Sequence, residues 1–184
     1  MAQIERESME VDVLYVGAGP ATLASAIHLM NEVSAWNGAA EQAGRPTIEP
    51  PTVLVLEKSA SVGDHMLSGA CMNPRAIAEL VPDFEQQGFP TEYVCNYAGF
   101  WLFHPKGKLS IPVVPPNFRK KGYHVVSLNK VAKWMAERAE KLEVQIYPGF
   151  AGDQLLIEGS RVVGVRTGDM GVDKDGKPKS TFQP

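Results

Sequence analysis

Gly17-Ala18-Gly19-Pro20-Ala21-Thr22 is the stretch whose residue types and spacing most suit a chemistry, and that chemistry is the holding of a dinucleotide. Gly17 permits a tight turn, and Gly19 lets backbone N–H groups approach a pyrophosphate at a helix N-terminus. Pro20 and Ala21 stand where that helix would open. Thr22 occupies the third glycine position of the fingerprint. Its branched side chain predicts a helix set slightly further from the sheet, or a weaker grip on the dinucleotide. The second half of the fingerprint is an acidic residue closing the next strand. Glu57, after Val53-Leu54-Val55-Leu56, either accepts the ribose hydroxyls or is a solvated end-of-strand charge. The interval from Thr22 to Glu57 is 57 − 22 = 35 residues, against roughly 20 in the usual fingerprint. A surface insertion at 36–51 (WNGAAEQAGRPTIEPP) absorbs the excess.

Other chemistries are excluded by what is absent. Cys71 and Cys95 are the two cysteines, separated by 95 − 71 = 24 residues, so four thiolates for an iron–sulfur cluster or a closed zinc site cannot be assembled. A reducing compartment is the default reading of such cysteine usage. Cys71 reads as a small buried residue, with no partner nearby for dithiol chemistry. Asp173-Lys174-Asp175-Gly176 fails as a calcium loop: with Gly176 at loop position six, position twelve falls on Phe182 instead of a carboxylate. Lys plus Arg is 18 and Asp plus Glu 21, a net charge of −3, which argues against nucleic acid as a partner. The 44 % apolar and 21 % charged residues, among 184, describe about one globular domain.

The elements that must position these residues follow from periodicity. Val11–Val16 is a buried strand, and Leu23, Ala26, Ile27 and Met30 trace one helix face after it. Val53–Leu56 is a second strand. Asn73-Pro74 reads as an N-cap with proline at the first helical position, before Ile77 and Leu80. Thr91–Val126 suits hairpins and irregular loops. Ser127 caps a helix running to Leu142, and Val144–Tyr147 is a third strand. Gln154–Ile157 and Arg161–Arg166 flank Glu158-Gly159-Ser160 as a hairpin, and the last dozen residues read as a polar turn and trailing end. Residues 1–10 are polar and flexible, without the apolar region of a signal peptide. The most apolar stretch, Val11–Met30, holds Asp12, Gly17, Gly19, Pro20 and His28, which no membrane helix would carry. The fold class is α/β: a Rossmann-like βαβ core with β-hairpin or meander additions, incomplete at the C-terminus.

Val16–Leu23 (VGAGPATL), Val55–Lys58 (VLEK) and Gly63–Cys71 (GDHMLSGAC) resemble the N-terminal part of flavoproteins of the glutathione-reductase-like FAD superfamily. Within it, the G-x-H-x-L-S-G-A-C segment is similar to that of the electron transfer flavoprotein–ubiquinone oxidoreductases. Val125–Gly149 and Thr167–Gly176 resemble later segments, so the likeness spreads over most of residues 10–182. The resemblance implies an FAD-binding domain covering 1–184 in part. Gly17, Gly19, Pro20, Ala21, Glu57 and Lys58 would serve the ADP half, and Gly63, His65, Leu67, Ser68 and Gly69 the pyrophosphate and flavin side. Gly63 and Gly69 would admit a planar cofactor, Met66 and Leu67 would offer apolar contact, and Ser68 would hydrogen-bond. His65 would do the same, or is a solvated loop histidine. No residue is a candidate acid, base or nucleophile, which suits electron transfer.

The implied activity passes electrons from reduced electron transfer flavoprotein to ubiquinone through FAD and a [4Fe–4S] cluster, the latter ligated in a C-terminal part that has no counterpart here. The chain therefore reads as a fragment, or as a short relative whose C-terminal half is a separate chain. Residues 100–124 interleave Phe100, Trp101, Leu102 and Phe103 with Lys106, Lys108, Arg119, Lys120 and Lys121. By resemblance they are the membrane-facing and quinone-side segment; otherwise they form a hairpin with core aromatics and a solvated basic turn. The implied location is the cytoplasmic side of a bacterial inner membrane or the mitochondrial inner membrane. Two other readings remain open: another FAD-dependent oxidoreductase, of geranylgeranyl-reductase or monooxygenase type, or a noncatalytic nucleotide-binding module.

Overall fold

The computed structural model describes residues 7–67, 69–172 and 177–183. In chain order the elements are β1 (Val13–Val16), α1 (Pro20–Gln42), β2 (Val53–Glu57), β3 (Ala70–Met72), α2 (Arg75–Leu80), β4 (Thr91–Val94), β5 (Phe100–His104), β6 (Gly107–Ile111), β7 (His124–Val126), α3 (Leu128–Glu140), β8 (Gln145–Pro148), β9 (Gly152–Glu158), β10 (Arg161–Thr167), β11 (Met170–Val172) and β12 (Pro178–Gln183). They form two units. One holds the described residues up to His65 and from Ala132 onward, and the other runs from Met66 to Val131.

The first unit is built on a parallel sheet of order β1-β2-β8. β1 runs in register with β2, Val13 opposite Val53 through Val16 opposite Leu56, and β2 with β8, Leu54 opposite Gln145. A central parallel strand is covered on both faces, which is why Val53–Leu56 is an unbroken apolar run and is wholly buried. The crossover from β1 to β2 is α1, which buries Leu23, Ala26, Ile27, Met30, Val33 and Ala40. Full burial of side chains such as Leu23, Ile27 and Val55 is worth about 1.5–3 kcal/mol each.

The helix extends further than its sequence suggests. Trp36–Gln42, assigned above to the surface insertion, continues α1, since Ala39, Ala40, Glu41 and Gln42 favour helix over loop. It closes where Gly44 takes φ +63° and the Arg45 amide donates back to the Ala40 carbonyl at 2.8 Å. Between α1 and β2, residues 43–52 lie outside regular structure. Asn37 fixes their return path, its side chain bonding both the Ile48 carbonyl at 2.8 Å and the Ile48 amide at 2.9 Å. In α3, Val131, Ala132, Trp134, Met135, Ala136 and Ala139 are buried at helical spacing. β9 and β10 form the expected hairpin around Gly159 at φ +61°. The final residues, read as a trailing end, are instead β12, antiparallel to β11 with Met170 opposite Gln183. The turn expected at 173–176 lies outside the described residues.

The second unit carries an antiparallel sheet of order β3-β7-β4 and a separate β5–β6 hairpin. The N-cap of α2 is Pro74, one residue later than expected, and the Asn73 side-chain oxygen accepts the Arg75 amide at 3.1 Å just ahead of the helix. Phe84 and Phe89 meet edge to face at 5.1 Å, and His124 packs 5.5 Å from Phe84. At 4 % exposure, His124 belongs to this core and not to the surface segment 100–124, its Nδ1 held 2.8 Å from Thr91 Oγ1. Cys71 also departs from expectation. It is exposed on β3, and its sulfur lies 3.5 Å from that of Cys95, because β3 and β4 flank the same strand.

Candidate functional site

The glycine stretch and Glu57 come together at the C-terminal ends of β1 and β2, where ligands of open α/β sheets bind. Gly17 follows β1 and adopts φ +95°, a conformation that disfavours any side chain. Its amide donates to the Leu56 carbonyl at 2.7 Å, tying the turn to the end of β2. Gly19 is different. At φ −78°, ψ 165° its backbone suits any residue, and an added Cβ would meet nothing within 4 Å. The chain itself gives no reason for glycine there. A ligand seated against the loop would, because a side chain would occupy its place. Pro20 and Ala21 open α1, exposed, with no acidic residue in its first turn to repel an anion.

The Glu57 carboxylate bridges the two halves. Its Oε2 accepts the Ala18 amide at 2.8 Å, and its Oε1 accepts the Ser59 amide at 2.8 Å and lies 2.7 Å from the Ser59 hydroxyl. Partial burial works to raise its pKa. The Ser59 amide and hydroxyl, the Ala18 amide and the charge of His65 together outweigh this and hold the carboxyl below its ordinary value. Ser59 has a second acceptor, the Ser61 carbonyl at 2.7 Å, and one proton to give. When the hydroxyl turns to Ser61, a lone pair on Oε1 opens beside the one unused on Oε2. Two such acceptor positions match the two hydroxyls of a ribose. The sequence reading missed Ser59; its signal is a hydroxyl residue two positions past a strand-ending carboxylate.

The remaining candidates are more scattered. Lys58 is exposed, Gly63 is buried at φ +88°, and His65 is exposed. Leu67 is 86 % exposed in the second unit, as is Gly69, at φ +87°. Ser68 lies outside the described residues. The aromatics of residues 100–124 are not core. In the β5–β6 hairpin Phe100 pairs with Ile111 and Leu102 with Leu109, so one face is a continuous apolar strip. Leu102 is 61 % exposed and Phe103 on the opposite face 74 %, while Lys108 stands 5.6 Å from the Trp101 ring. Among the described residues, no helix is long and apolar enough to cross a membrane, and no cluster of His, Cys, Asp and Glu could hold a metal ion.

No model of a known protein family matches the chain. Curated proteins do. A mitochondrial electron transfer flavoprotein–ubiquinone oxidoreductase of Oryza sativa subsp. japonica is 41 % identical over 180 residues, 97 % of this chain and 29 % of that protein. A probable electron transfer flavoprotein–ubiquinone oxidoreductase of Acinetobacter baylyi is 40 % identical over 188 residues, 100 % of this chain and 31 % of that protein. The chain thus spans less than a third of the length of these relatives. Among solved structures, CtdE in complex with FAD superimposes with a TM-score of 0.54 at 15 % identity, over 86 % of this chain and 35 % of that one, a likeness of fold alone. By sequence the chain is similar to electron transfer flavoprotein–ubiquinone oxidoreductases along nearly all of its own length.

Proposed function

We propose that this chain is the FAD-holding part of an oxidoreductase that passes electrons from reduced electron transfer flavoprotein to ubiquinone. The observation that carries the reading is the 2.8 Å bond between the Ala18 amide and Glu57, which joins the glycine turn to a carboxylate with room for two hydroxyls. The Gly17–Gly19 backbone and the N-terminus of α1 receive the pyrophosphate. Glu57 takes the ribose hydroxyls as Ser59 turns its own toward Ser61. Gly63 and His65, in the same unit, serve the flavin side. Bound FAD supplies the redox chemistry; the residues named bind and orient it. No acid or base is required of the chain.

Two cysteines cannot ligate a [4Fe–4S] cluster, so a cluster in the assembled enzyme draws its ligands from outside residues 1–184. The apolar strip of the β5–β6 hairpin, flanked by Lys106 and Lys108, suits shallow contact with an anionic bilayer, the phase in which ubiquinone dissolves. The membrane is accordingly a bacterial inner membrane, met from its cytoplasmic side, or the mitochondrial inner membrane. The test is titration of the purified chain with FAD, followed by flavin absorbance and fluorescence. Saturable binding at one equivalent is the expected result. A blank spectrum after addition of FAD would overturn the reading, and quinone reduction by the chain alone would overturn the assignment of the cluster to residues outside it.

A further inference from the structure

Cys71 and Cys95 play no part in the site above, yet the fold brings their sulfurs to 3.5 Å. Cys71 is the central residue of β3 and pairs with Val125 of β7. Cys95 lies one residue beyond β4 on the other side of β7, its amide bonded to the Tyr123 carbonyl at 2.7 Å and its carbonyl to the Gly122 amide at 2.8 Å. Val125 and Tyr123 are two apart along the chain, so the two cysteines project from one face of the sheet. Cys71 is exposed and Cys95 half-exposed, so a small reagent reaches the pair from solvent. Lys120, whose ammonium stands 4.8 Å over the Tyr123 ring, adds positive charge beside Cys71. Two thiols in contact, accessible and near a cation, differ from the inert buried thiol that the sequence suggested.

We propose that Cys71 and Cys95 form a redox-active thiol pair, closed to an intramolecular disulfide by exchange with a low-molecular-weight disulfide. One cysteine thiolate attacks that disulfide, forming a mixed disulfide and expelling one small thiolate. The second cysteine, as thiolate, displaces the other small thiol and completes the S–S bond. Two protein S–H bonds are lost, one S–S bond forms, and the small disulfide is reduced by two electrons to two thiols. The sulfurs must approach from 3.5 Å to about 2.05 Å, a movement shared by the three-residue β3 and the residue just past β4. Burial pushes the Cys71 thiol up, as does the Cys95 sulfur it touches, while Lys120 acts the other way.

The full chain is incubated in oxidised glutathione, quenched by alkylation, and read by intact mass and by peptide mapping. The expected product has lost two hydrogens, carries no glutathione, and yields one cross-linked peptide containing Cys71 and Cys95. Cys71→Ser and Cys95→Ser, both at solvent-accessible positions, each stop at a stable mixed disulfide. A trivalent arsenical, phenylarsine oxide, binds two thiols through one atom, so it should protect both cysteines of the native chain from alkylation and neither cysteine of the single variants. A chain that gains two glutathiones, that cross-links only between molecules, or whose thiols are alkylated unhindered in the presence of the arsenical overturns the proposal.

Discussion

Replacing Glu57 by glutamine tests the carboxylate's part in both the fold and the proposed ribose site. Three donors converge on it: the Ala18 amide, the Ser59 amide and the Ser59 hydroxyl. A glutamine side chain offers one carbonyl oxygen and one NH2, so one of the two backbone amides faces another donor and loses its acceptor. A stranded amide costs about 1–3 kcal/mol, and because the Glu57 side chain facing it is only part-buried, the lower figure of about 1 kcal/mol is expected. That lowers the melting temperature of a chain of this size by roughly 2–4 °C. The sign of the pH dependence follows from a carboxyl held below its ordinary value of 4.5. Its contribution is fully present above 4.5 and disappears as the pH falls through the lower folded value, whereas the glutamine amide of the Glu57→Gln variant does not titrate. Urea unfolding of both chains, run from neutral pH downward, should show a constant gap that closes below 4.5. FAD titration of the variant should show binding weakened roughly ten- to hundredfold, the loss of a charge-assisted bond of about 1.5–3 kcal/mol. A gap that persists in acid, or FAD affinity equal to wild type, would refute the reasoning.

Gly17→Ala and Gly19→Ala should separate backbone strain from ligand space. The first forces a side chain at φ +95° and costs about 1–3 kcal/mol of stability by urea unfolding; the second leaves stability unchanged and weakens FAD binding. Ser59→Ala should raise the Glu57 pKa toward its ordinary value, followed by carboxyl NMR titration, while FAD affinity holds. Leu102→Gln with Phe103→Ser on the hairpin should reduce sedimentation with anionic lipid vesicles without lowering the melting temperature, both side chains being exposed. Closing the Cys71–Cys95 link should stabilise the chain by about 3 kcal/mol in urea, the loop-closure value for a separation of 24 residues, reversed by reductant.

Much of the βαβ part is legible in the chain because its signals are local. An apolar run, a glycine turn and a helical periodicity each arise within a dozen residues, so β1, α1 and β2 are placed by sequence with their starts within a few positions. The length of α1 is not legible, because Trp36 and Gly38 look like loop composition. Ala39–Gln42 nevertheless extend the helix, and the Asn37–Ile48 bonds hold the returning chain beside it. β12 is invisible in the sequence because a polar strand lacks an apolar alternation; its pairing with β11 is supplied by the backbone and not by side-chain type.

By itself, the sequence determined the fold class, the glycine turn, the acidic residue that answers it, and the likeness to electron transfer flavoprotein–ubiquinone oxidoreductases. All of these reside in residue type and short spacing. Tertiary structure alone decided which groups touch across long stretches of chain. Ala18 meets Glu57 over 39 residues because parallel strands bring their C-terminal ends together, and Ser59 joins them because the chain turns sharply past β2. Cys71 meets Cys95 because β3 and β4 share one neighbour, β7. Which sides of the β5–β6 hairpin face solvent was decided there too, since alternation along two strands sorts side chains by face but does not say what covers either one.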